Sequence, residues 1–363
     1  MAKKKVKETK SASSLEDRLL EQYGEGVIVT GEYITEYPQV VVPVSPQLDL
    51  MLNGGIPFGS FVIPTGPPKV GKTSLTLDIA ATAVNIPTEF DNPREIYYFK
   101  VEGRLPPRDL TGIHHLRPHV QDKVHVIQSR RGKILNAQDY LDIAEQYINE
   151  KPGCVFIMDS MSQLCSADRR EKDWHDGKAF RDDVPTLLAN FCKRISQVIP
   201  INDSLFFGIT HQIANTGFGF SSWAEASGTK VQYQVDVKLK ATHNKPWKEK
   251  EDSLSKKGIE VHWECYAAPL QNGESVEKTT SKFRFGHGVD KHAELLPIAC
   301  DLDLVESKGA WYTIGDSKIQ GYNNAVAAFS AKENETAALD AYVKFREAFG
   351  LCPIPQEHLH VCL

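Results

Sequence analysis

The chain has 363 residues, enough for one large α/β domain with a smaller companion, or for two mid-sized domains. Its 41% hydrophobic and 25% charged residues are those of an ordinary globular protein, and no apolar run approaches the roughly 20 residues that span a bilayer. A net charge of −5 argues against any partner drawn in by the field of the whole molecule, so a nucleic-acid surface would have to be built from local clusters.

Residues 1–10 carry Lys3, Lys4, Lys5, Lys7 and Lys10 without a hydrophobic pattern. A solvated basic tail is expected there, with a phosphate-touching arm or a targeting signal as the alternatives. No apolar core follows, so no secretory signal is expected and a cytoplasmic setting is. The seven cysteines are scattered, odd in number and never spaced CxxC, which reads as reduced thiols without a zinc site. Ser14 with Asp17 three residues on makes an N-cap box. Leu15, Leu19, Leu20 and Tyr23 continue it as a short amphipathic helix that stops at Gly24.

From Val40 to about Asp290 apolar strands alternate with amphipathic helices. Strands are expected over 61–63, 96–99, 124–127, 154–158, 204–210, 235–239 and 259–263, and helices over 73–84 and 139–148. A further helix carries Val184, Leu187, Leu188, Phe191, Ile195, Val198 and Ile199. Alternation of this kind predicts an α/β fold with a mostly parallel sheet covered on both faces. Two long segments interrupt it: 162–183 is polar and charged, and 213–229 is rich in Gly and Ser with aromatics between them. Connections of that length in a compact domain are usually functional or disordered. The expected order is a basic tail (1–12), an N-terminal helix and linker (13–38), an α/β core (39–290), a small C-terminal α/β lobe (291–351) and a tail (352–363).

Within the core, Gly66-Pro67-Pro68-Lys69-Val70-Gly71-Lys72-Thr73 matches G-x-x-x-x-G-K-[ST] between a buried strand and a helix. A chance match somewhere in the chain is on the order of one in a hundred, given Gly at roughly 7% of residues. The glycines let backbone N–H groups converge on phosphate oxygens, and the following helix adds positive potential from its N-terminus, where Ser74 also lies. Lys72 would reach the β- and γ-phosphates of a nucleoside triphosphate, and Thr73 would give its hydroxyl to Mg²⁺. Asp159 ends the strand Val155-Phe156-Ile157-Met158, either as the Mg²⁺ partner or as a cap of the next segment. Hydrolysis needs a group that orients or deprotonates water. Glu102 follows the strand Tyr97–Val101, where strand ends gather around a ligand crevice, and a surface glutamate is the alternative. Gln212 follows the strand 206–210, as a contact to the γ-phosphate or simply as a polar strand terminus.

These residues resemble the RecA-type homologous recombinases, including their divergent bacteriophage members, from Asp17 to about Gly350. Asp17–Gly26 resembles the helix and Gly-x-Gly turn ahead of the family core, and Leu48-Asp49 with Gly54–Gly59 resembles the approach to its phosphate loop. Tyr98-Phe99-Lys100-Val101-Glu102 is similar to the strand with the family's catalytic glutamate. Met158-Asp159-Ser160-Met161 is similar to its metal-binding strand end, and Thr210-His211-Gln212-Ile213 to its γ-phosphate sensor. Phe283–Val289, with Phe285 and Gly286 facing nucleotide, and Gly309-Ala310-Trp311-Tyr312 resemble the end of the core and the C-terminal lobe. The phosphate loop alone is shared by many NTPases; the ordered set is far more specific.

The resemblance implies a RecA-like P-loop ATPase using ATP and Mg²⁺, with Glu102, Lys72 and Gln212 catalytic. It implies helical filaments of this chain on single-stranded DNA, pairing with a homologous duplex, and no membrane role. It also gives the two odd segments a task, since in the family they hold single-stranded DNA. The first offers Arg169, Arg170, Lys172, Lys178 and Arg181, offset by Glu171, Asp173, Asp176 and Asp182. The second offers Phe218, Phe220 and Trp223, by themselves either a packed aromatic cluster or a contact with bases and under the resemblance the latter, with Lys230 just beyond. Lys238, Lys240, Lys245, Lys248, Lys250, Lys256 and Lys257 make a lysine-rich hairpin, either a solvated edge or a weaker second site for double-stranded DNA.

Three departures stand out. Trp263 and Cys265 precede Ala267-Ala268-Pro269 where the family carries lysines that reach a neighbouring subunit's γ-phosphate; Lys278 or Lys282 are the candidate substitutes. His211 replaces the usual Asn before the sensor, and the acidic tail of bacterial members is missing. Two rival readings follow: a RecA-fold helicase or motor, and a non-catalytic accessory paralogue acting as a nucleotide-gated adaptor.

Overall fold

The structure is a computed structural model that describes residues 14–36, 39–103, 105–113, 119–171, 183–215, 222–225, 231, 233–248, 254–273 and 275–363. The chain divides into two compact units, 1–39 and 40–363.

In the first unit, helix α1 (Leu15–Tyr23) starts from a complete capping box: the Ser14 hydroxyl accepts from Asp17 N–H, and the Asp17 carboxylate accepts from Ser14 N–H. Each satisfies an N–H that a helix start leaves without an intrahelical partner. Helix α2 (Gly31–Glu36) follows. Leu15, Tyr23, Val27, Ile28, Tyr33 and Ile34 are exposed.

The second unit opens with β1 (Val41–Val42), α3 (Pro46–Leu52) and β2 (Ile56–Pro57). Its core continues through β3 (Phe61–Thr65), α4 (Lys72–Ala83), β4 (Ile96–Lys100), α5 (Pro107–Thr111), β5 (Val124–Gln128), α6 (Ala137–Glu150) and β6 (Val155–Asp159). Next come α7 (Ala167–Glu171), α8 (Val184–Ile195), α9 (Val198–Ile201), β7 (Leu205–Ile209), β8 (Gln212–Asn215) and β9 (Ser222–Glu225). The long strands β10 (Val237–Trp247), β11 (Gly258–Ala267) and β12 (Lys278–Arg284) follow, with the short β13 (Gly288–Val289).

One nine-stranded sheet runs in the order β13-β12-β11-β10-β3-β7-β6-β4-β5. From β10 to β5 every pairing is parallel. Side-chain parity divides the core. Val62, Ile96, Tyr98, Val155, Ile157, Leu205 and Phe207 pack on the face covered by α4. Phe61, Ile63, Tyr97, Phe99, Phe156, Met158 and Phe206 pack on the opposite face with α6 and α8. Strands buried on both faces read as unbroken apolar runs, which is how they appear in the sequence. The parallel sheet ends its strands β3, β4, β6 and β7 on one edge, and those ends supply the site.

The sheet extends further than strand–helix alternation predicts. Beyond β10 its pairings are antiparallel, through β11 and β12 to β13. The short expected strands 235–239 and 259–263 overlap the N-terminal parts of an 11- and a 10-residue strand. Lys240 and Lys245 therefore lie on a paired strand instead of a connection. Polar residues at alternate positions on one open face hide a strand from a search for apolar runs.

Residues 293–363 have an apolar cluster of their own, including Leu295, Leu296, Phe329, Tyr342 and Phe345. It rests on the core through a buried polar joint. Arg346 Nη1 lies 3.1 Å from Asp49 Oδ2, Tyr342 donates to the same oxygen at 2.6 Å, and Arg346 Nη2 donates to the Gly54 carbonyl at 2.7 Å. Among the described residues no helix is long and apolar enough to cross a membrane.

Candidate nucleotide site

The glycine loop turns because three of its residues take left-handed backbone: Gly66 (φ 142°), Lys69 (φ 59°) and Gly71 (φ 101°). Gly66 has a second constraint. A Cβ there would stand 2.3 Å from the Ala241 carbonyl oxygen on β10, so only glycine lets the loop lie against that strand. Asn244, three residues further on β10, donates its side-chain amide to the Lys69 carbonyl at 3.1 Å. A loop with alternating backbone hand, running into the N-terminus of the 12-residue α4, aims its N–H groups into one concavity suited to an anion.

Lys72, the first residue of α4, is 4% exposed. Its amine folds back on the loop, donating to the carbonyls of Gly66 at 2.9 Å and Pro67 at 2.7 Å. Burial pushes its pKa down to about 8, while the nearby carboxylates of Asp159 and Glu102 pull it back up. Among the described residues no carboxylate forms an ion pair with this buried amine, whose hydrogen bonds go to carbonyls.

Asp159 ends β6, where parity turns its side chain toward α4. Its Oδ2 accepts from the Thr73 hydroxyl at 2.8 Å and from the Tyr98 hydroxyl at 2.6 Å. Burial raises the Asp159 pKa, the hydrogen bonds from Tyr98 and Thr73 oppose it, and the charge of Glu102 adds to the rise. A buried carboxylate beside a second acid invites a cation. The donors at hand, one hydroxyl and one carboxylate, are hard oxygens. Among the described residues no group of three or more His, Cys, Asp or Glu is placed to hold a metal. A pair of protein oxygens with the remaining positions left to phosphate and water fits Mg²⁺ better than a metal needing a full protein cage.

Glu102 lies two residues past β4, with its backbone N–H donating to the Asp159 carbonyl at 2.9 Å. Its Oε2 meets His211 Nε2 at 2.8 Å and accepts from the Ser160 hydroxyl at 3.2 Å. His211 follows β7, whose end lies across β6 from that of β4. These groups share a cleft of about 1030 Å³, lined by Pro68 to Ser74, Tyr98, Glu102, Asp159, His211, Phe285 and Gly286. Apolar Leu105, Ile113, Ile259 and Phe283 also line it, Ile259 and Phe283 close to Gly71, together with Arg108 and Asp109.

The structure thus brings Lys72, Thr73, Ser74, Glu102, Asp159, Phe285 and Gly286 to one cleft. Gln212 opens β8, and its backbone N–H approaches the Gly66 carbonyl at 3.5 Å. Tyr98 and the His211–Glu102 contact escape sequence reasoning. The signal for Tyr98 is parity: it shares a sheet face with Asp159, so its hydroxyl points at the carboxylate rather than into the opposite core.

The proposed DNA segments are placed in part. Arg169 and Arg170 lie exposed in the last turn of α7. Lys172, Lys178, Arg181, Phe218, Phe220 and Lys230 lie outside the described residues. Trp223 sits on β9, opposite Ala214 of β8. The Gly/Ser-rich segment therefore carries a short antiparallel pair where the sequence reads as loop. At the departures, Trp263 is 1% exposed and packs into the α4-side core. Burial pushes the Cys265 thiol up to about 11. Lys278 is paired with Glu264 at 2.8 Å, and Lys282 lies over the Trp247 ring.

No family model matches the chain. Curated proteins similar to it include Protein RecA of Helicobacter acinonychis (strain Sheeba), 25% identical over 351 residues, covering 93% of each chain. Protein RecA of Halalkalibacterium halodurans is also 25% identical, over 356 residues, covering 95% of this chain and 94% of its own. Protein RecA of Helicobacter hepaticus is 23% identical over 354 residues, covering 92% and 93%.

Proposed function

We propose that this chain, similar over nine-tenths of its length to proteins named RecA and built on an α/β core with a large, mostly parallel sheet, is an ATP-dependent DNA recombinase. In this reading it assembles as a filament on single-stranded DNA and pairs that strand with a homologous duplex in the cytoplasm. The observation that carries the reading is the junction of Thr73, Asp159 and Glu102 in one cleft at the mouth of a phosphate loop.

The loop N–H groups and Lys72 bind the triphosphate, and the buried ammonium exchanges its loop carbonyls for phosphate oxygens. Thr73 and Asp159 would hold Mg²⁺, which when bound neutralises charge on the β- and γ-phosphoryl oxygens. Glu102 accepts a proton from the attacking water; the water oxygen bonds to the γ-phosphorus as the bond to the β–γ bridging oxygen breaks, yielding ADP and phosphate. Gln212, adjoining Gly66 and heading β8, would report the γ-phosphate to the segment 212–225. Exposed Arg169 and Arg170 and the aromatic-bearing segment would hold the strand, and the lysines of β10 offer a weaker site for duplex.

Glu102→Gln tests the assignment. ATP binding should persist and turnover on single-stranded DNA should vanish; turnover retained would move the base elsewhere. One observation favours the accessory-adaptor reading. Trp263 is sealed in the core, and half-buried Cys265 holds a raised thiol, at positions where the family carries lysines.

A further inference from the structure

Glu102 is half exposed, with 46% of its side chain in solvent, yet one of its oxygens is fixed from two sides. Oε2 takes His211 Nε2 at 2.8 Å and the Ser160 hydroxyl at 3.2 Å. Oε1 has no partner among the described residues and is the oxygen left for water. A glutamate at a strand end would otherwise lose its orientation among several rotamers.

The histidine is itself held through its backbone. Its backbone N–H donates to Ser162 Oγ at 3.2 Å, and that hydroxyl bonds Ser160 Oγ at 3.1 Å. The next residue, Gln212, sends its N–H toward the Gly66 carbonyl. The ring's other nitrogen, Nδ1, is buried without a partner. A proton there would be a donor lacking any acceptor, a costlier defect than an unused acceptor, so the ring proton belongs on Nε2, facing the carboxylate. The ring is thus a fixed donor aimed across the end of β6 at Glu102.

We propose that His211 is a positioning residue for the hydrolytic step: it pins Oε2 of Glu102 so that Oε1 faces the water that attacks ATP. The inference rests on the reading of Glu102 as the base. It gives the histidine at this position, where the resemblance leads one to expect Asn, a task distinct from sensing phosphate. Ser160 and Ser162 brace the same arrangement from the start of the segment that leads to Arg169 and Arg170, so a shift of that segment would reach Glu102 directly through Ser160 and by way of His211 through Ser162.

The test compares steady-state ATP turnover on single-stranded DNA with nucleotide affinity for wild type, His211→Phe, His211→Gln and Glu102→Gln. Phe keeps the ring bulk without the donor; Gln places an amide N–H at a similar reach from Cβ. His211→Phe should lower kcat about 10- to 100-fold, the size of loss that misplaced catalytic groups produce, with KM and nucleotide affinity little changed. His211→Gln should recover most of that loss. An active His211→Phe beside a dead Glu102→Gln overturns the positioning role alone. A His211→Gln as poor as His211→Phe, with both folded by thermal melting and binding nucleotide normally, also overturns it. An active Glu102→Gln, or a wild type that binds ATP without turnover, removes the base assignment and this inference with it.

Discussion

Lys72 offers the most quantitative prediction. Its amine is 4% exposed and bonded to the carbonyls of Gly66 and Pro67, and burial lowers its pKa to about 8 from an ordinary value near 10.4. Near pH 8 part of the nucleotide-free molecules therefore carry a neutral amine. A bound triphosphate brings several negative charges against it and restores the ammonium. Binding should take up a fraction of a proton near pH 8, less at pH 7 and more at pH 9. The sign is fixed by the shift: the bound state holds more protons, so affinity falls as pH rises through 8, approaching tenfold per unit above it. In unfolding the same shift acts differently. The unfolded lysine holds more protons between about pH 8 and 10.4, so the stability cost of burying it is full below pH 8 and fades as pH climbs through that window. Calorimetric titration of ATP in buffers of different ionisation enthalpy reads the proton uptake directly. Lys72→Arg, charged in both states, should bind with no uptake. Heats independent of buffer at pH 8, with binding intact, would refute the account of Lys72 as a buried cation awaiting its anion.

Two further outcomes follow from packing. Arg346→Met leaves Asp49 buried at 0% side-chain exposure without its guanidinium, and should cost about 3–5 kcal/mol in denaturant unfolding; a loss under about 1 kcal/mol would mean the joint is not structural. Trp263→Lys, an attempt to restore a family lysine, puts an amine into the core behind the phosphate loop and should cost about 3–5 kcal/mol. Cys265→Lys on the half-buried neighbour should stay folded; equal melting temperatures for the two variants would contradict the burial of Trp263.

Much of the core is legible from local rules. The phosphate loop is announced by glycine spacing between a strand and a helix, and Asp159 and Glu102 by their places at or just past strand ends. What escapes is set by distant packing. His211 and Glu102 are 109 residues apart, joined only because β7 and β4 flank β6. Asp49 meets Tyr342 and Arg346 across nearly the whole chain. Tyr98 looks like core in an apolar run, and only the parity of β4 against β6 shows its hydroxyl to the site. The full length of the antiparallel wing is hidden because Lys240 and Lys245 occupy strand positions that resemble a polar connection.

The central claim is tested most directly by joint-molecule formation between single-stranded DNA and duplex, with the purified protein, Mg²⁺ and ATP. The account predicts joint molecules that require homology and ATP. ATP turnover on single-stranded DNA with no joint molecules at any salt concentration would contradict it, and would leave a motor or an adaptor built on the same nucleotide site.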